Sequence, residues 1–149
     1  MPSSPEITPF FHTDSNTWTY LVADAASGTA LVIDPVLDFD PKAGRTGTRS
    51  AKAVLDAVQA KAYRLEWILE THAHADHLTA APYIQEKLGG KIAIGDHITT
   101  VQGVFAALVG LKRHNLAADG GCGPFKAVDY GGDERAMMAH NAFVIGQTL

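Results

Sequence analysis

Three histidines and an aspartate lie within six residues near the middle of the chain. His72, His74, Asp76 and His77 form the pattern His-x-His-x-Asp-His. Neutral imidazole and carboxylate are the ligands that borderline divalent metals such as zinc and iron prefer. Because His72 and His74 are two residues apart, an extended backbone would point both side chains the same way, toward one shared ion. Asp76 and His77 follow where the chain turns, and we expect them to address a second position beside the first.

The segments on either side of this cluster must hold it in place. Residues 65–69 form a short apolar run that is typical of a buried strand. Residues 80–88 carry alanine, isoleucine and leucine at helical spacing. A lone histidine at a strand end is usually an ordinary polar group, but a cluster this dense favours metal ligation. The sequence therefore predicts a metal site at a strand–helix junction.

Further strands and helices are predicted on both sides of this junction. Residues 17–24 and 29–34 are rich in β-branched and aromatic residues around a turn, which predicts an antiparallel hairpin. A helix is expected from an N-cap at Ser50 to about Tyr63, a strand at 91–95, and helical spacing at 98–109. This alternation predicts an α/β layer with some parallel pairing.

The cluster resembles the metal-binding signature of the metallo-β-lactamase superfamily. Neighbouring segments are similar to one branch, the persulfide dioxygenases and related bacterial β-lactamase-hydrolase-like proteins, from about Phe10 to about Leu108. The segments that carry the similarity are LVIDPVLDFDP at 31–41, GRT at 44–46, THAHADH at 71–77 and GGKIAIGDHITTVQ at 89–102. The resemblance implies an α/β fold: the first half of an αββα sandwich, a mixed sheet with helices on one face and one or two metals at one edge.

The resemblance also implies where the metal shell is incomplete. Persulfide dioxygenases hold one iron with the first motif histidine, which maps to His72, and with a later histidine and aspartate that have no clear counterpart. In the closing segment 142–149, Gln147 stands where the later aspartate would be. We therefore expect a truncated or rearranged member. Asp34 lies where the family places a residue near the metal loop, so an acceptor that orients a ligand histidine and a simple turn-former before proline both stay open.

Three functional hypotheses follow from this resemblance. The first is Fe(II)-dependent oxidation of glutathione persulfide to sulfite, impaired by the missing ligands. The second is a dizinc thioester or lactam hydrolase of the glyoxalase II type, in which Asp76 helps to hold the second metal and the attacking water. The third is an inactive fragment that serves as a binding or assembly unit. Iron near one per chain favours the first hypothesis, and zinc near two per chain favours the second.

Composition limits the partners and the compartment. A net charge of −4 without a basic block argues against nucleic acid and anionic membranes. The single cysteine, Cys122, fits a reducing compartment and forms no internal disulfide. The N-terminus lacks the charged and apolar regions of a signal peptide, and no apolar run approaches the ~20 residues of a membrane span. We expect a cytoplasmic protein.

The same patterns divide the chain into three parts. Residues 1–9 are expected to be a loose lead-in, residues 10–111 the half-domain, and residues 112–149 an atypical glycine-rich segment; within the half-domain, residues 36–48 look like a polar loop. A half-fold would leave apolar strand residues uncovered, namely Trp67, Ile68 and Ile92. We therefore expect a homo-oligomer.

Overall fold

Nine strands and two helices make up the part of the chain that the structure, a computed structural model, describes: residues 4–72, 74, 77–95 and 125–127. In chain order the elements are β1 (Glu6–His12), β2 (Thr17–Asp24), β3 (Thr29–Ile33), β4 (Val36–Asp40), β5 (Arg45–Gly47), α1 (Arg49–Ala60), β6 (Arg64–Glu70), β7 (Leu78–Thr79), α2 (Ala81–Leu88), β8 (Lys91–Gly95) and β9 (Phe125–Ala127).

Six of the strands form one mixed sheet in the order β1-β2-β3-β6-β8-β9. The central strands β3, β6 and β8 run parallel to one another, whereas β1, β2 and β9 pair antiparallel with their neighbours. The remaining strands form a small sheet in the order β5-β4-β7. The predicted α/β fold with a mixed sheet is confirmed, as is the hairpin of β2 and β3.

Both helices pack on one face of the large sheet, also as predicted. The apolar side of α1 (Ala51, Val54, Leu55 and Val58) and that of α2 (Ala81 and Ile84) share one core with the inward side chains of β2, β3, β6 and β8. Ile68 and Ile92 belong to this core and are only 0% and 2% exposed. The expectation that these two side chains lie uncovered is wrong, because α1 and α2 cover this face. Trp67 has the opposite orientation on β6 and is only partly buried.

A bulge between β3 and β6 explains the orientation of these side chains. The register pairs Ala30 with Leu65 and then Leu31 with Trp67, which skips Glu66. The extra residue lets Leu65 and Ile68 both face the core although they are three residues apart.

Three local expectations fail because distant partners decide the backbone. Residues 6–9, expected to be a lead-in, are the first half of β1 and pair with β2 from Glu6 onward. The expected polar loop contains β4, which gains hydrogen bonds from both β5 and β7. The first helix begins at Arg49 rather than after an N-cap at Ser50. Ser50 instead donates its backbone N–H and its hydroxyl to the carboxylate of Asp38, at 2.8 and 2.7 Å.

The topology brings two strand ends together at one edge of the sheet. β3 and β6 are parallel neighbours with Ile33 opposite Leu69, so the residues that follow both strands meet at their shared carboxyl edge. β7 then pairs with β4, and the backbone N–H of Ala80 donates to the carbonyl of Pro35 at 2.8 Å. The histidine-bearing segment 71–77 is therefore anchored at both ends.

Several sequence features lie outside the described residues. These are the helical spacing at 98–109, the glycine-rich segment apart from β9, the closing segment 142–149 with Gln147, and the side chains of Asp76 and Cys122. Within the described residues, no helix is both long and apolar enough to cross a membrane.

Candidate metal centre

Asp34 occupies a strained backbone position directly after β3. Its φ of +50° lies in the left-handed region, which aspartate tolerates better than most residues. The backbone N–H of Asp34 donates to the carbonyl of Leu69 at 2.9 Å, and its carbonyl accepts a hydrogen bond from the hydroxyl of Thr19 at 2.7 Å. These two bonds fix the backbone, so the carboxylate projects toward the segment that follows β6.

The carboxylate of Asp34 determines the proton position on His72 through Thr71. The backbone N–H and the hydroxyl of Thr71 each donate to one carboxylate oxygen, both at 2.7 Å. Because the only hydroxyl proton goes to Asp34, Oγ1 of Thr71 accepts at its contact of 2.8 Å with Nδ1 of His72. His72 therefore carries its proton on Nδ1, and the lone pair of Nε2 remains for a metal.

His74 has the opposite arrangement. Its side chain is only 6% exposed, and its Nε2 lies 2.8 Å from Oε2 of Glu70 and 3.0 Å from Oδ1 of Asp34. Both neighbours are acceptors when ionised, so the Nε2 proton is shared between them. Nδ1 is then the nitrogen through which a neutral His74 can bind a metal. The two rings thus present different nitrogens, with centroids 4.3 Å apart.

Burial and hydrogen bonding have opposite effects on the pKa values of Asp34, Glu70 and His74. Burial works to raise the pKa of Asp34, but hydrogen bonds from His74 and Thr71 hold it below its ordinary value. Burial raises the pKa of Glu70, and hydrogen bonds from His74 and Thr79 offset only part of that effect. Burial alone would lower the pKa of His74, yet Asp34 and Glu70 raise it to about 9. Without metal, His74 is therefore an imidazolium at neutral pH.

Glu70 is the site residue that sequence reasoning missed. It is the last residue of β6, only 2% exposed, and it accepts hydrogen bonds from His74 and from the hydroxyl of Thr79 in β7. The position of Glu70 on β6 could have revealed it. Leu65, Ile68 and Glu70 are the buried positions of this strand, so Glu70 places a carboxylate inside the core. A charge at an inward position beside a histidine cluster needs a partner.

The donor atoms of Asp34, His72 and His74 converge, lying within 4.8 Å of one another. Two imidazoles fit a borderline divalent metal once His74 has given up its extra proton. The oxygens of Asp34 already accept three hydrogen bonds, two from Thr71 and one from His74. These contacts suit an acceptor that orients a ligand histidine, and this role of Asp34 stays a prediction.

The other predicted ligands contribute less to this picture. His77 is buried with its ring centroid 4.1 Å from that of His74, but among the described residues it is not part of the converging group. Asp76, predicted as a ligand and a catalytic residue, lies outside the described residues. Its role and that of His77 stay predictions.

Two known proteins and one solved structure show what this chain is similar to. The chain is 51% identical over 100 residues to a β-lactamase hydrolase-like protein of Agrobacterium fabrum, covering 66% of this chain and 23% of that protein. It is 36% identical over 80 residues to the mitochondrial persulfide dioxygenase ETHE1 of Bos taurus, covering 54% and 27%. The crystal structure of ETHE1 from Myxococcus xanthus matches with a TM-score of 0.50 and 30% identity, covering 61% and 35%.

These matches share one limit, which is length. The chain spans only 23% and 27% of the length of the two curated proteins above. The model of the metallo-beta-lactamase superfamily, however, matches residues 12–135, most of the 149-residue chain. With two histidines converging beside a buried carboxylate pair at the sheet edge, the chain belongs to the metallo-β-lactamase superfamily.

Proposed function

We propose that this chain binds a divalent metal through Nε2 of His72 and Nδ1 of His74, with Fe(II) as its working metal. The single observation that supports this most directly is the chain of hydrogen bonds from Asp34 through Thr71 to His72. These bonds leave a lone pair on Nε2 of His72, the nitrogen that a metal needs. Glu70 and Asp34 hold the Nε2 proton of His74, so Nδ1 of His74 can bind the metal once it has lost its own proton.

We further propose a thiol-derived small molecule as the substrate, glutathione persulfide in particular, with turnover impaired because two of the three expected iron ligands have no clear counterpart in the sequence. Support comes from the similarity to proteins named persulfide dioxygenase and ETHE1. When bound, Fe(II) would supply the redox chemistry by which dioxygen oxidises the persulfide sulfur. The chain itself holds the metal with two imidazoles and fixes their orientation with two carboxylates. The pKa of His74 is about 9, so at neutral pH the metal must displace a proton from this histidine, and the metal affinity is lowered accordingly.

A hydrolase is the second candidate. The β-lactamase hydrolase-like relative supports it, as does the cluster of histidines that continues to His77. In that function the site would hold two zinc ions, with Asp76 helping to hold the second ion and the water. A non-catalytic binding unit is the third candidate, because no clear counterpart of the later family ligands is present in the sequence.

Metal titration tests the proposal. The metal-free protein is titrated with Fe(II) under anaerobic conditions, and separately with Zn(II), alongside His72→Ala and His74→Ala. His12→Asn is the matched control, since His12 lies outside the cluster and its Nδ1 accepts from Ser15, a role that an amide oxygen can take over. We expect one metal per chain, at least roughly tenfold weaker binding in both cluster variants, and no change in the control.

Two other outcomes would decide against the iron proposal. Equal affinity in all four proteins would remove His72 and His74 from the site. Two zinc ions per chain at high affinity, with weak iron binding, would favour the hydrolase.

A further inference from the structure

The face of the six-stranded sheet that points away from α1 and α2, here called the outer face, is apolar. Strand alternation places the outward side chains opposite the buried ones on each strand. The apolar residues of the outer face are Ile7, Pro9 and Phe11 of β1, Trp18, Tyr20 and Val22 of β2, Leu31 and Ile33 of β3, and Trp67 and Leu69 of β6.

Part of this face is open to solvent. Ile7 is 58% exposed, Phe11 and Trp18 are each 47% exposed, and Tyr20 is 37% exposed. The three rings form a row, with centroids 4.8 Å apart for Phe11 and Trp18 and 6.4 Å apart for Trp18 and Tyr20. An antiparallel sheet that faces water on one side alternates apolar and polar residues. β1 and β2 depart from this pattern, because their exposed side carries apolar residues while Thr8, His12 and Thr19 lie on the side that faces the helices.

The size and charge of the outer face fit a second copy of the chain. Aromatic side chains offer about 150–250 Å² each, so the exposed parts of Ile7 and the three rings amount to roughly 400 Å² per copy. That is about half of the ~800 Å² that each partner contributes to a standard interface, and the partly exposed neighbours on β2, β3 and β6 can add to it. None of the ten side chains is charged; Lys91 of β8 places a charge at the border of this face, with its Nζ 5.6 Å from the centroid of the Trp67 ring.

The β1 edge of the sheet is a poorer route to association. Pro9 in the middle of this edge strand has no N–H to offer to an added strand.

We propose that two copies of this chain associate through their outer faces, sheet against sheet, about a two-fold axis. The same patch serves both partners, as a closed two-fold dimer requires. The helices of each copy then lie outside the paired sheets, and the rows of Phe11, Trp18 and Tyr20 are buried at the centre. This proposal rests on the sheet alone and does not depend on the proposed function.

Sedimentation and fluorescence of the full 149-residue chain test it together. The chain has two tryptophans, Trp18 and Trp67, and both lie on the outer face, so tryptophan emission reports on that face alone. We expect the mass of two chains at micromolar concentration, and on dilution a fall to one chain together with a red shift of the emission. Trp18→Lys should weaken association at least tenfold, with Trp67 remaining as the reporter. The matched control is Gln59→Lys, the same charge change at an exposed position of α1, and it should leave the dimer intact.

Each remaining outcome counts against the proposal. A wild-type monomer overturns it, whether its tryptophans are shielded by another part of the same chain or open to water. A dimer that survives Trp18→Lys, or that dissociates without any tryptophan shift, assembles through a different surface. If Trp18→Lys does not fold, Tyr20→Lys replaces it, and the dilution series of the wild-type protein decides independently.

Discussion

At the scale of single residues, the site depends on which nitrogen of each imidazole carries a proton. The hydroxyl of Thr71 donates to Asp34 and therefore accepts from Nδ1 of His72. Glu70 and Asp34 share the Nε2 proton of His74. Both assignments follow from the number of protons that each donor has, because a hydroxyl and a ring N–H can each donate only one. Five residues, Asp34, Glu70, Thr71, His72 and His74, thus form one hydrogen-bonded group, and in the proposed function the two histidines of this group bind the metal.

Glu70 should matter to metal affinity although it touches no metal. Glu70→Gln keeps the shape of the side chain but removes the charge that faces His74. We expect metal affinity to fall by roughly 10–100-fold, the usual effect of losing a partner of a ligand histidine. Titration calorimetry with Zn(II) measures it. Glu66→Gln is the matched control, the same change on the same strand at a side chain that is 40% exposed and paired with Arg64.

An equal loss of affinity in Glu66→Gln and Glu70→Gln would mean that general charge, and not the contact with His74, causes the effect. No loss in either variant would remove Glu70 from the site.

The stability of the metal-free protein should fall with rising pH between about 6.5 and 9. The pKa of His74 is raised from 6.5 to about 9 by Asp34 and Glu70 against the effect of burial, so the folded state binds the proton more tightly than the unfolded state. This stabilisation is fully present below pH 6.5 and is lost as the pH rises through about 9. The loss is up to about 3 kcal/mol. Urea unfolding at fixed protein concentration across this range measures it.

His74→Gln is the comparison for that pH series, because glutamine can still donate to the two carboxylates but cannot titrate. Its stability should be nearly flat over the same range. A wild-type curve as flat as that of the variant would show that His74 is not protonated in the folded, metal-free protein.

At the scale of elements, the site is held by backbone contacts between strands that are distant in sequence. The turn from α2 to β8 illustrates this. A Cβ on Gly90, whose φ is +91°, would meet the carbonyl oxygens of Leu65 and Glu66 at 3.3 and 3.4 Å. The glycine thus allows the turn to lie against β6, the strand that ends at the metal centre.

Gly90→Ala should therefore destabilise the protein more than Gly28→Ala. Both glycines have a positive φ, +91° and +68°, but a Cβ on Gly28 meets nothing within 4 Å. The left-handed backbone alone costs about 1–2 kcal/mol for an alanine. The contact with β6 should add roughly 1–3 kcal/mol at Gly90 only. Chemical denaturation of both variants gives the difference, and equal losses would show that the contact is relieved by a small backbone shift.

The same scale explains what could be predicted from the sequence. The strand at 64–70, the hairpin of β2 and β3 and the glycine turn at 89–90 were predictable, because periodicity and turn residues are local signals. The strand β4 was not, since its residues Asp38 and Asp40 disfavour strands and its partner β7 follows the histidine cluster. For the candidate metal site, the histidines and the aspartate that could bind a metal were visible in the six consecutive residues 72–77. The contact of Asp34 with Thr71 spans 37 residues and depends on β3 and β6 being parallel neighbours.

At the scale of the whole molecule, the question is how much chemistry this chain performs. It carries a sheet edge with two oriented imidazoles and two supporting carboxylates. The chain spans 27% of the persulfide dioxygenase relative from Bos taurus. The activity of that whole protein is therefore a proposal for this chain, and an assay of turnover measures how much of it these residues supply.

The iron-loaded protein should consume little or no oxygen when given glutathione persulfide. Sulfur and dioxygen have to meet on a metal that is held firmly with positions left open, and two of the three ligands expected from the resemblance have no clear counterpart in the sequence. Two imidazoles alone hold Fe(II) weakly, and at neutral pH the proton on His74 competes with the metal. An oxygen electrode trace, with His72→Ala as the control for free iron, measures the rate. Turnover equal to that of an intact persulfide dioxygenase, and lost in His72→Ala, would contradict the prediction and show that other residues of this chain complete the metal shell.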